Sequence, residues 1–176
     1  MENQLKVTAY HEAGHAVACW RFGWPISRVS IVLKDAYLGA VTADDPTLNI
    51  RPDMDGSKGA KQAMRESIVV CCAGPRAQVR YDASSWHDGH GEKDFKVAGG
   101  LALRLGGISE RANALGEKLD AEAQALVESH WAEIEAVATA LLEHKELDGD
   151  VIKELLEALT GETIPASKLF SYASLA

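Results

Sequence analysis

Two histidines four residues apart, His11 and His15, with Glu12 beside the first, constrain the fold of this chain more than any other feature. Residues at this spacing lie on one face of a helix, so both imidazoles can reach a single ion while the carboxylate projects beside it. Zinc held by two histidines and a third ligand keeps a position open for water and lowers the pKa of that water to about 7. Glu12 would take the proton as the water attacks a carbonyl. The HExxH spacing therefore predicts a helix carrying a zinc-dependent hydrolytic site.

The third ligand cannot be read from the motif. The extended HExxHxxGxxH form is excluded, because Ala18 and Arg21 occupy the positions of its glycine and last histidine. A bare HExxH match also arises by chance, and an aspartate can cap a helix while loop histidines are often simply solvated. The residues alone do not choose among the candidates, which are Glu66, His87, Asp88, His90, Glu92 and Asp94.

Composition and charge narrow the class of protein. Hydrophobic residues make up 47% of 176, enough for a real core, and the formal net charge of −8 argues against a phosphate-binding surface for nucleic acid. The longest strongly apolar stretch, Ile68 to Ala73, is too short to cross a bilayer, and the first residues lack the pattern of a signal peptide. We therefore expect a cytoplasmic protein with no nucleic-acid or membrane partner. Its three cysteines are an odd number without C-x-x-C spacing, so we expect reduced thiols.

The patterning predicts an α+β fold that is mainly helical, with a small β-sheet or hairpin packed on a helical bundle. We expect a single domain over residues 1–163, with a metal-binding part over 1–110, C-terminal helices over 111–163, and a tail over 164–176. In the first half, the predicted elements are a helix over Val7 to Phe22 with Thr8 as N-cap, a hairpin of Ile26 to Leu33 and Tyr37 to Thr42 with its turn at 34–36, and a mobile polar loop over Pro46 to Lys61. Next come a helix over Ala63 to Tyr81 kinked or split at Gly74-Pro75, a turn-rich segment over Asp82 to Lys93, a helix from Asp94 to Gly106, one long helix from Asp120 to Leu141, and a last helix after Asp150.

Four segments in the same order resemble the peptidase domain of the FtsH-type ATP-dependent zinc proteases. The resemblance covers about 150 residues. Its segments are Ala9 to Ala16, the strand pair Ile26 to Ile31 with Leu38 to Thr42, the helix piece Ala73 to Ala77 leading to the loop Gly91 to Ala98, and the tail piece Leu141 to Ile152. In that family the aspartate of the loop is the third zinc ligand. The resemblance therefore implies that Asp94 completes a Zn²⁺ site with His11 and His15.

The chain also departs from the family pattern. It contains no G-x-x-x-x-G-K-[ST] phosphate loop, so we expect no ATPase module and no use of ATP, and we expect no membrane anchor. Gln78 stands where the family usually has glutamate, and Pro75 is an intrusion. A histidine-containing loop replaces the family's approach to the aspartate, so His87 and His90 are accessory candidates that would compete for the metal or polarise the substrate carbonyl.

The hypothesis from the sequence is a small zinc metalloendopeptidase that hydrolyses extended or unfolded polypeptides without its own ATPase. Glu12 is its expected base, and the strand Leu38, Gly39, Ala40, Val41 and Thr42 is expected to align the substrate by main-chain pairing. Two alternatives stay open, a zinc-binding module that captures peptides without cutting them and an HExxH protease that cleaves a single repressor. The assembly state also stays open, an oligomer being compatible with the sequence.

Overall fold

The computed structural model describes residues 2–34, 37–49, 56–87 and 91–167. The helices are α1 Glu2–Arg21, α2 Lys58–Tyr81, α3 Glu92–Gly106, α4 Ser109–Ser129, α5 Trp131–His144 and α6 Gly149–Thr160. The strands are β1 Ile26–Lys34, β2 Tyr37–Ala43 and β3 Glu146–Asp148, and short 3₁₀ helices cover Pro46–Asn49 and Ala83–Ser85. The prediction of a mainly helical α+β fold with one small sheet is confirmed.

Helix α1 carries the HExxH motif near its middle rather than in its opening turns. It begins at Glu2, so Thr8 lies inside the helix and donates its hydroxyl hydrogen to the Gln4 carbonyl at 2.9 Å. The prediction of Thr8 as N-cap is wrong, because the preceding turn is already helical and supplies an acceptor one turn back. The end of the helix was predicted to within one residue, and Gly23 follows with a φ of 68° that favours glycine.

The sheet is antiparallel and has the strand order β2-β1-β3. Val29 at the centre of β1 lies opposite Val41 of β2 on one side and Leu147 of β3 on the other. The predicted hairpin is confirmed, although residues 35 and 36 of its turn lie outside the described part of the chain. Since β1 is the middle strand, β2 is an edge of this sheet.

The predicted loop over Pro46 to Lys61 is wrong at both ends. Pro46–Asn49 is a 3₁₀ turn, and α2 begins at Lys58, while residues 50–55 are outside the described ranges. The early start of α2 follows from Ser57, whose hydroxyl oxygen accepts a hydrogen bond from the Ala60 backbone N–H at 3.1 Å. Such an N-cap satisfies a donor that the first turn would otherwise leave unpaired.

Helix α2 continues through Gly74 and Pro75, so the predicted split there is wrong. Proline removes one helical hydrogen bond, but α2 is buried against α1 along this stretch. The two helices approach so closely that a Cβ on Gly14 of α1 would lie 2.6 Å from the Ala73 carbonyl oxygen of α2. The free energy gained by burying apolar surface along this crossing exceeds the cost of the missing hydrogen bond.

After α3, the described residues 107–167 contain three helices where the apolar pattern predicted two. The expected long helix from Asp120 is wrong: α4 begins at Ser109, and the chain breaks at His130 before α5. Asp120 lies within α4 and accepts hydrogen bonds from the Arg76 guanidinium instead of capping a helix. The apolar spacing continues across His130, which is why it did not reveal the break.

Two hydrophobic clusters hold the elements together. The larger one joins α1, β1, α5 and α6 around side chains such as Val17, Ile134 and Leu156, all of which are fully buried. The smaller one joins α2, α3 and α4 around Ile68 and Leu119. In the described ranges, the helices are too short or too polar to cross a membrane.

Candidate metal centre

Helices α1 and α3 bring His11, His15 and Asp94 together in the structure. One ligand atom from each residue lies within 4.8 Å of the others. Among the described residues, these three side chains form the group that could hold a metal ion. The two histidines face the same way because they are one helical turn apart on α1. Asp94 sits in the first turn of α3, whose N-cap is Gly91, so the carboxylate is not used as a cap.

The separations of these atoms fit a tetrahedral ion. The two Nε2 atoms lie 3.1 Å apart. The Oδ2 of Asp94 lies 3.4 Å from the Nε2 of His11, and the other carboxylate oxygen, Oδ1, lies 3.7 Å from the Nε2 of His15. In a tetrahedral zinc site with ligand distances of about 2.0 to 2.1 Å, neighbouring ligand atoms are separated by about 3.3 Å. The donor set of two imidazoles and one carboxylate is also one that zinc accepts when a fourth position stays open for water.

The other ring nitrogens are held by buried acceptors. The Nδ1 of His15 lies 2.7 Å from the Val70 carbonyl oxygen, and the Nδ1 of His11 lies 3.1 Å from the Gln78 side-chain oxygen. Both acceptors require a hydrogen on Nδ1, which leaves the lone pair of Nε2 directed at the shared point. Burial, followed by the neighbouring His11, lowers the pKa of His15 to about 4, so its imidazole is neutral at pH 7. The two Nδ1 hydrogen bonds thus orient both rings toward the shared point.

Gly74 makes room for one of these rings. A Cβ at this position would lie 2.2 Å from the Nε2 of His15, so the ring packs directly on the α2 backbone. The role of Gly74 is therefore steric, because the missing side chain lets α2 approach the motif helix at the site itself. Pro75 in turn borders Gly91, the residue from which α3 starts.

Glu12 is 6% exposed and lies beside the two histidines. Burial raises its pKa to about 7, and the opposing effect of His11 does not cancel this rise. Gly39 on β2 adjoins this carboxylate, since a Cβ there would lie 2.4 Å from the Glu12 Oε1. Gly39 has a φ of 94°, which favours glycine, so the edge strand passes over the carboxylate without a side chain between them.

The strand predicted to align a substrate lies at this position. Gly39, Ala40, Val41 and Thr42 belong to β2, with Ala40 and Thr42 exposed and Gly39 and Val41 half-buried. Leu38 pairs with Leu33 in the backbone register of the two strands. The sheet leaves the outer edge of β2 without a partner strand among the described residues.

The remaining ligand candidates lie elsewhere or outside the described chain. Glu66 accepts a hydrogen bond from the Trp24 indole N–H at 3.1 Å, and Glu92 is an exposed residue at the start of α3. Neither belongs to the cluster of ligand atoms. His87 is exposed just before the gap at 88–90, which contains the candidates Asp88 and His90.

Several contacts of the site were not anticipated. These contacts all join residues far apart in sequence. They are the hydrogen bonds of the two Nδ1 atoms, the packing of the His15 ring against Gly74, and the approach of Gly39 to Glu12. Gln78 had been singled out only as a departure from the family's glutamate. Its position one turn after Gly74, on the same helix, is the signal that could have placed it beside the motif helix.

Comparison with known proteins supports a distant relationship. No protein-family model matches the sequence. The chain is 24% identical over 181 residues to the ATP-dependent zinc metalloprotease FTSH 11, chloroplastic/mitochondrial, of Arabidopsis thaliana. The match covers 88% of this chain and 22% of the length of that protein. It supports a relationship to FtsH-like zinc metallopeptidases at this level of similarity.

Proposed function

We propose that this protein is a zinc-dependent metalloendopeptidase that hydrolyses peptide bonds in extended or unfolded polypeptides. The observation that carries the proposal is the convergence of His11, His15 and Asp94, at separations suited to a tetrahedral ion, beside the buried carboxylate of Glu12. The distant similarity to a zinc metalloprotease supports the same conclusion.

In this proposal, His11, His15 and Asp94 hold the ion through two ring nitrogens and a carboxylate oxygen. When bound, zinc supplies a Lewis acid for the substrate carbonyl and lowers the pKa of the attacking water. Glu12 accepts the proton of that water and returns it to the nitrogen of the leaving amine. Gln78 and the Val70 carbonyl keep the two rings in the tautomer that the role requires.

The edge strand provides a way to hold the substrate. A peptide that pairs with the outer edge of β2 would receive main-chain hydrogen bonds, and Gly39 would let its backbone approach Glu12. Main-chain pairing selects an extended conformation rather than a particular sequence. We therefore propose exposed loops, tails and unfolded chains as substrates.

The role of Glu12 is tested with Glu12→Gln. This substitution keeps the size of the side chain but removes the base, so casein cleavage should be lost while elemental analysis still finds about one zinc per chain. Loss of cleavage together with loss of zinc would indicate a damaged site. An unchanged cleavage rate would exclude Glu12 as the base, and a zinc-loaded wild-type protein that cuts no casein would favour the peptide-capture or single-substrate alternatives.

The role of Asp94 is tested with Asp94→Ala beside Glu92→Ala. Both substitutions remove a carboxylate from the first turn of α3, but only Asp94 lies at the histidines. Zinc affinity, measured by competition with a chelator, should fall at least about tenfold for Asp94→Ala and stay near the wild-type value for Glu92→Ala. Retained affinity in the Asp94 variant would move the third ligand to another residue.

A further inference from the structure

A groove of about 300 Å³ lies between the 3₁₀ turn Pro46–Asn49 and helix α3, the helix that carries Asp94. Its lining combines apolar and cationic side chains: Thr47, Lys96, Val97, Gly100, Leu101 and Arg104. Five of these six residues belong to α3, the helix that also carries Asp94. The groove and the metal ligand therefore share one rigid element.

The charge of the groove is opposite to that of the whole protein. The chain has a formal net charge of −8, yet the two ionisable residues of the lining are Lys96 and Arg104. Both are exposed, and across the described ranges no ion pair is recorded for either. Lys96, Gly100 and Arg104 follow one another at intervals of four, so the two cations flank the same strip of α3. The groove is thus a local cationic site on an acidic protein.

The position of the groove in the fold suggests which part of an extended peptide would reach it. The turn Pro46–Asn49 follows β2 in the chain, so the groove lies beyond the C-terminal end of the edge strand. Along α3, Gly100 lies about 9 Å and Arg104 about 15 Å beyond Asp94, at 1.5 Å per residue. An extended peptide that ran alongside α3 would advance about 3.3 Å per residue, so these distances would correspond to about three to five residues from the metal centre.

We propose that this groove binds an acidic side chain of the peptide substrate, about three to five residues from the bond that is cut. The inference rests on the proposed function and adds a substrate preference to it. Lys96 and Arg104 pair with the carboxylate, while Val97 and Leu101 contact the methylene groups that carry it. Gly100 leaves the strip between the cations open, since a Cβ there would meet no atom within 4 Å.

The preference is specific to position. Elsewhere the net negative charge of the protein opposes the approach of an acidic peptide. An acidic residue therefore favours binding only where it reaches Lys96 and Arg104. This separates the proposal from a general attraction between the protein and charged peptides.

The first test measures binding to the zinc-loaded Glu12→Gln variant, which holds a peptide without cutting it. Short fluorescent peptides of uncharged sequence carry a single Glu, Gln or Lys at the same position, and affinity is followed by anisotropy. The Glu peptide should bind about fivefold more tightly than the Lys peptide at low ionic strength, with a smaller ratio at high salt. Equal affinities, a preference for Lys, or no binding of any peptide would overturn the proposal.

A matched pair of charge reversals locates the effect. In the Glu12→Gln background, Arg104→Glu should abolish or reverse the preference for the Glu peptide. Lys153→Glu makes the same change in net charge on an exposed position of α6 and should keep the preference. If both substitutions change the ratio equally, the net charge explains the effect and the groove does not.

Cleavage by the wild-type protein separates this inference from the proposed function. If the zinc-loaded protein cuts casein but its mutant shows no Glu preference, the groove proposal fails and the peptidase proposal stands. If the Glu preference is found but no polypeptide is cut, the peptidase proposal fails and the groove remains a peptide-binding site. Where the Glu peptide is cut, product masses should place Glu about three to five residues from the cut bond, and any other placement contradicts the inference.

Discussion

At the scale of single residues, the site is defined by the hydrogen-bond partners of its polar atoms. Gln78 is 4% exposed and its side-chain oxygen faces the Nδ1 of His11, while its amide N–H donates to the Ser85 hydroxyl at 3.3 Å. The Ser85 hydroxyl donates in turn to the Asp82 carbonyl at 2.6 Å. The ring of His11 is therefore oriented by a neutral chain of hydrogen bonds anchored at the end of α2.

This arrangement predicts opposite effects of two substitutions at Gln78. Gln78→Leu leaves the half-buried His11 N–H without its side-chain acceptor and should weaken zinc binding by about 10- to 100-fold. Gln78→Glu places a carboxylate on the same nitrogen, makes the ring a stronger ligand, and should bind zinc at least as tightly as the wild type. Chelator competition measures both.

The matched control for Gln78→Leu is Gln124→Leu. Gln124 is exposed on α4, and its amide N–H donates to the neighbouring Glu128 at 2.9 Å. Zinc affinity in this variant should equal that of the wild type. An unchanged affinity in Gln78→Leu would show that Gln78 does not orient the ligand.

At the scale of elements, the metal centre depends on the crossing of α1 and α2. Glycines on both helices make this crossing close: Gly14 meets the Ala73 carbonyl, and Gly74 meets the His15 ring. The hydrophobic periodicity of each helix predicted that both are helical, but it does not encode how near they come. The approach depends on two small residues that carry no hydrophobic signal of their own.

The crossing leads to a prediction for two glycines in helices. Gly74→Ala should lower zinc affinity by about tenfold or more, because the new methyl group displaces His15 from its Val70 acceptor. Gly99→Ala is the control, since a Cβ there meets nothing within 4 Å, and it should raise the free energy of unfolding by about 0.5 to 1 kcal/mol. Chelator competition and urea unfolding give the two quantities. Wild-type zinc affinity in the Gly74 variant would show that the space at Gly74 does not position the His15 ring.

At the scale of the whole molecule, an ionic network ties the end of α1 to the C-terminal helices. Arg21 donates to Glu133 of α5 at 2.6 Å and also pairs with Glu162, which follows α6. His130, at the break between α4 and α5, lies 3.0 Å from the same Glu133 oxygen. Glu133 is 7% exposed, so this carboxylate is largely removed from water.

The network predicts a dependence of stability on acid. Burial tends to raise the pKa of Glu133, but hydrogen bonds from Arg21, its own backbone N–H and His130 together hold it below the usual value. A carboxyl whose pKa is lowered by folding stabilises the folded state above its unfolded pKa, and this contribution is lost as the pH falls through the folded pKa. The free energy of unfolding should therefore decrease in acid.

Urea unfolding of Glu133→Gln tests this expectation. At pH 7 the variant should be less stable than the wild type by about 1 to 3 kcal/mol, because Arg21 loses a charged partner. The difference should shrink as the pH is lowered through the range in which Glu133 protonates. A difference that stays constant with pH would show that Glu133 acts through packing rather than charge.

Part of this molecule was predictable because the signals are local. The helical placement of the motif, the hairpin and the last helix follow from spacings of four and two residues, which reflect backbone geometry within one element. The local sequence pattern gave wrong predictions where contacts between elements determine the secondary structure. The three-residue strand β3 is too short for a periodic pattern and forms because β1 offers it an edge, and α2 passes through Pro75 because its packing compensates for the lost hydrogen bond.

The sequence by itself determined that His11, Glu12 and His15 share a helical face, since one turn of helix is enough to bring them together. The spacing left several distant acids and histidines open as a third ligand, and the family resemblance pointed to Asp94. The tertiary structure brings Asp94 to the two histidines and shows that Gln78, 67 positions from His11, lies against one of the rings. It also decided that Gly39 passes over Glu12 and that a groove with two cationic side chains lies along α3. These contacts join separate elements, so they depend on how the helices and the sheet pack, which no spacing within one element specifies.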